Sequence, residues 1–241
     1  MKIVEAPSPS FNDRPEGSPV DSLILHYTGM VSGAAAMERL RDPEIEVSSH
    51  YVVEEDGAVF RLVEEERRAW HAGVSHWSGR DGLNDVSIGI EIVNPGHDWG
   101  LKPFPEPQIA AVAALSQDII ARWRIPQARV LAHSDIAPDR KRDPGDLFPW
   151  ERLAAEGVGL WPTAPHRRSG QARPTVIEAQ RLLARWGYPV AETGALDART
   201  RAATAAFQRR FRPAIVDGVL DAECAALLED LIKRGASSQL R

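Results

Sequence analysis

Short apolar runs with strand character occupy the first two thirds of the chain, and helical repeats fill the last third. Leu23-Ile24-Leu25 reads as a buried strand that ends in His26-Tyr27-Thr28-Gly29. Ser32 is placed to cap a helix from about Gly33 to Leu40, with Met37 and Leu40 on its buried face. The β-rich runs His50 to Glu54 and Ala58 to Val63 flank Glu55-Asp56-Gly57, which predicts a hairpin. Ser87 to Val93 (SIGIEIV) alternates as a strand does, and its small and apolar residues predict burial on both faces. Ile109, Val112, Leu115, Ile119, Ile120 and Trp123 recur at helical spacing. Val130-Leu131-Ala132 is a further short strand, and it too ends in a histidine, His133. Phe148 to Ala155 reads as a short helix after a Pro-Gly loop.

Two stretches lack either period. Residues 6–19, rich in Pro, Ser, Gly and Asn, read as an extended arm. Composition shifts again at Trp161-Pro162-Thr163-Ala164-Pro165, and residues 163–173 read as a linker. Beyond it, Thr175 to Trp186 forms a helix closed by Gly187. Gly194-Ala195-Leu196-Asp197-Ala198 and Gly218-Val219-Leu220-Asp221-Ala222 repeat one pattern, G-x-L-D-A. Each precedes a helical stretch, Arg199 to Phe211 and Glu223 to Ile232, with Asp197 and Asp221 placed as N-caps. The expected fold class is mixed α/β: a central β-sheet flanked by helices over residues 1–162, then a small all-α three-helix unit over 174–241. A unit of about 60 residues is marginal alone, so docking onto the first unit is expected.

Composition narrows the function. Of 241 residues, 43% are hydrophobic and 26% charged, which predicts a buried core and excludes a disordered or fibrous chain. With 29 Lys and Arg against 34 Asp and Glu, the net charge of −5 gives no general attraction to nucleic acid. No apolar run has the length of a membrane span. The single cysteine, Cys224, offers neither an intrachain disulfide nor a thiolate zinc cluster. Met1 to Pro7 shows no signal-type apolar core, so the expected location is the cytoplasm; the periplasm or the outer membrane is the alternative if a leader has been removed. No heptad or edge pattern speaks to the oligomeric state.

The candidate chemistry lies at strand ends. If the strands ending in His26 and His133 are neighbours, both imidazoles emerge at one edge of a sheet. The loop after His133 adds Asp135, Asp139 and Asp143. Two imidazoles and one carboxylate make a three-ligand zinc site with a fourth position open to water, which acidifies that water for attack on a carbonyl. Spacing leaves two readings open: a metal site, or strand-end histidines hydrogen-bonded to loop carboxylates. Glu91 interrupts an apolar strand, where a carboxylate serves either an ion pair or general base catalysis. Lys141 is a surface lysine by default, and an oxyanion partner if a metal site is near.

The runs ILHYT (24–28), SSHYVVEEDG (48–57), AWHAG (69–73), LNDVSIGIEIVN (83–94) and AHSDIAPDRKRDPGDLFPW (132–150) resemble, in order, the zinc-dependent N-acetylmuramoyl-L-alanine amidases. Their fold is shared with peptidoglycan-recognition proteins and phage T7 lysozyme. The tail, with its G-x-L-D-A repeats and Ala206-Phe207-Gln208, is similar to the small three-helix peptidoglycan-binding domain. The resemblance implies one zinc ion held by His26, His133 and Asp143, catalysis by Glu91 with help from Lys141, and peptidoglycan fragments or muropeptides as partners. It implies cleavage of the amide between the lactyl group of N-acetylmuramic acid, or its 1,6-anhydro form, and L-alanine of the stem peptide. Trp70, His71 and Asn84 lie in matching runs and are candidate groove residues; each has an equally good structural reading. His50 is expected to be structural, and His76, His97 and His166 carry no assigned role. A leaderless enzyme fits muropeptide recycling, whereas a binding domain fits polymer. The competing readings are a non-catalytic recognition module and a zinc peptidase acting within the stem peptide.

Overall fold

A computed structural model describes residues 2–163 and 173–238. The strands are β1 (Ile3–Glu5), β2 (Phe11–Asp13), β3 (Ser22–Tyr27), β4 (Tyr51–Val53), β5 (Val59–Arg61), β6 (Arg67–Ala69), β7 (His76–Trp77), β8 (Arg80–Asp81), β9 (Ser87–Ile92) and β10 (Val130–Ala132). The helices are α1 (Gly33–Leu40), α2 (Gly96–Trp99), α3 (Glu106–Trp123), α4 (His133–Ile136), α5 (Trp150–Ala155), α6 (Val176–Trp186), α7 (Ala198–Phe211) and α8 (Ala222–Ser238). The mixed α/β architecture is the expected one, with helices on a central sheet and three helices at the C-terminal end.

The sheet order is β1-β5-β4-β9-β3-β10, parallel throughout except for the β4–β5 hairpin. Period-two alternation sorts its residues. Leu23, Leu25, Ile88, Ile90, Ile92, Val130 and Ala132 share one apolar cluster with Ile109, Val112, Leu115 and Ile119 of α3. Ile24 and Leu131 point the other way and join a second cluster with the C-terminal helices. His26, Glu91 and His133 have the parity of this second face. The register pairs His26 with Glu91, and His133 follows β10 directly, one residue beyond the Leu25–Ala132 pair, so the three gather at one end of adjacent strands.

Local signals explain the helix ends. Ser32 caps α1 by accepting from Ala35 N at 3.2 Å. Asp197 accepts from Thr200 N at 2.8 Å and Asp221 from Cys224 N at 2.9 Å, as N-caps do. The arm at 6–19 differs from expectation, because it includes β2, which pairs with β6, and β1 precedes it on the sheet edge. Both strands are exposed, so no burial pattern marks them in the sequence. Arg14 pins the arm by donating to the carbonyls of Glu65, Asn84, Asp85 and Ser87. The stretch after β10 also differs: His133 opens a one-turn helix rather than a loop. Of the expected linker, only Thr163 and Arg173 are described, and His166 lies outside the described residues. Among the described residues no helix is long and apolar enough to cross a membrane.

The C-terminal helices share a core with the sheet. Trp77 is 1% exposed and stacks edge-on against Trp186 and Tyr188, with ring centroids 6.2 and 5.2 Å away. Gly187 is required there: its φ is +138°, and a Cβ would stand 2.5 Å from the Trp77 ring. Its carbonyl accepts from Ser78 N at 2.9 Å.

Candidate metal centre

Three side chains converge at the end of β3 and β10. His26 Nδ1 lies 2.9 Å from His133 Nδ1, and Asp143 Oδ2 lies 3.1 and 3.0 Å from the two. All three residues are at most 5% exposed. Of the three acids that spacing left open, the fold brings in Asp143 alone. Asp135 turns away to Tyr188 and Arg210, and Asp139 lines a separate hollow beside His76 and Arg199.

Electrostatics suit a cation. Burial, then His133, push His26 down to about 4, against the pull of Asp143, so its ring is neutral at neutral pH. Burial alone would raise Asp143; the two imidazoles more than offset it and hold the carboxyl well below the usual range. His133 Nε2 lies 3.2 Å from the Ala72 carbonyl, which only accepts. His133 therefore carries a proton on Nε2, and Nδ1 is the nitrogen that faces His26 and Asp143. Two imidazole nitrogens and a carboxylate oxygen crowded this closely are a donor set able to hold a metal ion.

A groove of about 340 Å³ opens over this cluster. Glu91 reaches into it from β9 with Oε2 buried and without a hydrogen-bond partner. Burial first, and the Asp143 charge second, raise its carboxyl well above the ordinary value, while Lys141 opposes them. Lys141 lines the same groove, with Arg39, Arg140 and Arg142. Arg142 pairs with Asp98 at 2.7 Å, and Arg140 Nη2 donates to the Ala72 carbonyl at 2.7 Å.

The groove candidates separate. His71 lines the floor, but its ring nitrogens lie 3.0 Å from His26 Nε2 and 3.2 Å from Ser87 Oγ. Asn84 is buried away from the groove, and its Oδ1 accepts from His71 N and Ala72 N at 3.1 and 2.8 Å. Trp70 does not line the groove; its indole donates to Asn12 of the arm at 2.9 Å. His50 is buried between backbone groups, accepting from Gly89 N at 2.9 Å and donating to the Arg67 carbonyl at 3.1 Å. His97 bridges Tyr27 and Asp146, and His76 pairs with Asp81. Ser87, unmarked in the sequence reading, shares the parity of Glu91 on β9, a signal that could have found it.

A sequence model of N-acetylmuramoyl-L-alanine amidase matches residues 16–146, and one of a peptidoglycan binding domain matches residues 172–228. The chain is 41% identical to the N-acetylmuramoyl-L-alanine amidase AmiD of Escherichia coli (strain K12), over 88% of this chain and 82% of that protein. It is 34% identical to the 1,6-anhydro-N-acetylmuramyl-L-alanine amidase AmpD of Salmonella typhimurium (strain SL1344), over 64% of this chain and 90% of that one. Among solved structures, E. coli AmiD in complex with anhydro-N-acetylmuramic acid-L-Ala-D-gamma-Glu-L-Lys is similar at a TM-score of 0.81 and 38% identity, covering 92% of this chain and 93% of that one. AMPDH3 from Pseudomonas aeruginosa is similar at 0.79 and 38%, covering 91% and 94%. The likeness thus extends through both the sheet and the C-terminal helices, and the chain belongs to the N-acetylmuramoyl-L-alanine amidase family.

Proposed function

We propose that the chain hydrolyses the amide between N-acetylmuramic acid, or its 1,6-anhydro form, and L-alanine of peptidoglycan stem peptides, with one zinc ion held by His26, His133 and Asp143. The observation that carries the reading is the convergence of two Nδ1 atoms and Asp143 Oδ2 beneath the buried, unpartnered Glu91 Oε2. When bound there, zinc supplies Lewis acidity at the scissile carbonyl and lowers the pKa of an attacking water. Glu91, whose surroundings favour holding a proton, takes one from that water and returns it to the leaving alanine nitrogen. Lys141 sets its ammonium beside the oxygen on which negative charge develops. The cations Arg39, Arg140 and Arg142 around the groove suit the carboxylates of a stem peptide.

The similarity to a 1,6-anhydro-N-acetylmuramyl-L-alanine amidase and to a structure holding an anhydro-muramyl peptide supports soluble turnover fragments as substrate. A recycling role in the cytoplasm goes with that substrate, and cell fractionation of the tagged protein tests it. The activity is tested by offering intact sacculi and a soluble anhydro-muropeptide in parallel, with products identified by mass. The expected products are the free sugar and an intact peptide beginning with L-alanine. Chelation is expected to abolish the reaction and zinc to restore it. Shortened peptide still on the sugar would instead mean a peptidase, and binding without cleavage a recognition module.

A further inference from the structure

A metal at the position proposed above needs a bare Nδ1 from each imidazole, and so a proton on each Nε2. His133 meets this directly through the Ala72 carbonyl. His26 has no carbonyl behind it. Its Nε2 faces another imidazole nitrogen, His71 Nδ1, at 3.0 Å, and that contact works in either direction.

The direction is set one residue further back. His71 Nε2 lies 3.2 Å from Ser87 Oγ, which lies 2.6 Å from the Leu83 carbonyl oxygen. A carbonyl only accepts, so the Ser87 hydroxyl donates to it. Turned toward His71 instead, the hydroxyl would leave two oxygens facing each other at 2.6 Å with no proton between them. Ser87 Oγ is left as the acceptor for His71 Nε2–H. A neutral His71 then shows a bare Nδ1 to His26, and His26 keeps its proton on Nε2.

We propose that His71, backed by Ser87, is a positioning residue that locks His26 in the tautomer whose Nδ1 lone pair faces His133 and Asp143. The surroundings fit this task. The His71 ring lies against Gly89, where a Cβ would stand 2.5 Å from His71 Cγ. Asn84 fixes the backbone of residues 71 and 72. One two-residue segment therefore orients both imidazoles, through the His71 ring and the Ala72 carbonyl. Both nitrogens of His71 are engaged, which leaves neither for a substrate.

The purpose of this lock rests on the metal reading, and the tautomer of His71 reports on it independently of activity. Long-range proton–nitrogen correlation spectra of the full-length, zinc-loaded, nitrogen-15-labelled protein read it directly. The expected result is His26 and His71 both protonated on Nε2. An Nδ1–H on His71 in the zinc-loaded protein overturns this proposal alone. Wild-type protein with no affinity for zinc overturns the metal reading, and the purpose of His71 with it. In chelator competition, His71→Phe is expected to weaken zinc binding about 10- to 100-fold. His71→Asn, whose Oδ1 stands where Nδ1 stood and can accept from His26, is expected to recover most of that loss. Equal affinity in wild type and His71→Phe overturns the proposal. Should His71→Phe not fold, Ser87→Ala carries the test: the His71 signals are expected to show both tautomers, and a single Nε2–H form there overturns the part assigned to Ser87.

Discussion

Glu91, half-buried with Oε2 withdrawn from water, and Asp135, wholly buried, are carboxylates with opposite surroundings. Asp135, fully buried, accepts from Tyr188 Oη at 2.7 Å, from Arg210 Nη1 at 2.5 Å and from Ala132 N at 2.9 Å. Arg210 in turn donates to the Val130 carbonyl and lies 4.0 Å over the Trp150 ring. That carboxylate joins the C-terminal helices to the turn that carries His133. Glu91 Oε2 is buried with no donor at all. The same fold thus supplies three donors to one acid and withholds them from the other. An unpaired buried acid costs stability, and here the cost falls where a proton must move. The seam is built for rigidity and the groove for reactivity.

The sharpest break of this comparison is at Glu91. Glu91→Gln is expected to lower turnover at least about 10³-fold, roughly 4 kcal/mol in the barrier. Metal content should stay at the wild-type level, and thermal stability should hold or rise, because the substitution removes an acid without a partner. Turnover like wild type would take Glu91 out of the mechanism. At the seam the expected signs reverse. Arg210→Ala leaves the Asp135 charge buried without its cation, a loss of about 3 kcal/mol in denaturant titrations. The fraction that remains folded should keep zinc and near-normal turnover. A stable Arg210→Ala variant with slow turnover would mean that the ion pair tunes chemistry rather than holding two units together.

Much of this was legible in the chain. The strands ending in His26 and His133, the SIGIEIV strand carrying Glu91, and the caps at Ser32, Asp197 and Asp221 all follow from local signals, and the structure has them. The meeting of His26, His133 and Asp143 did not follow from spacing, because 107 and 10 residues separate successive members and three acids competed. Resemblance separated those acids, and in the fold Asp143 is the one beside the imidazoles. The seam was invisible for another reason. Arg210 sits in an Arg-rich helix stretch that reads as a solvated face, and Asp135 reads as a loop acid; only their packing shows each as the other's partner. The part of Asn84 was hidden likewise, since a side chain that serves a neighbouring backbone leaves no periodic trace, whereas Ser87 left its parity with Glu91 on β9.

A third buried carboxylate sharpens the rule by a smaller effect. Glu65 accepts from Tyr51 Oη at 2.7 Å, from Arg122 Nε at 2.9 Å and from the Trp123 indole. Burial pushes its carboxyl up, and these donors together hold it below the ordinary value of 4.5. The unfolded chain therefore binds the Glu65 proton more readily than the folded one. Its contribution is complete above the unfolded value and is lost as pH falls through that value toward the folded one. Glu65→Gln should cost about 1–2 kcal/mol at neutral pH, discounted by salt because the Arg122 side chain is 51% exposed. The gap between wild type and variant should close in melting curves taken down to acid pH. In metal-free protein, Glu91→Gln should show the opposite slope, since an acid held above its ordinary value weakens the fold as pH rises through the interval. A Glu65→Gln gap that stays constant with pH would mean that Glu65 acts through packing alone. The contrast between satisfied and unsatisfied acids would then hold for Asp135 and not extend to Glu65.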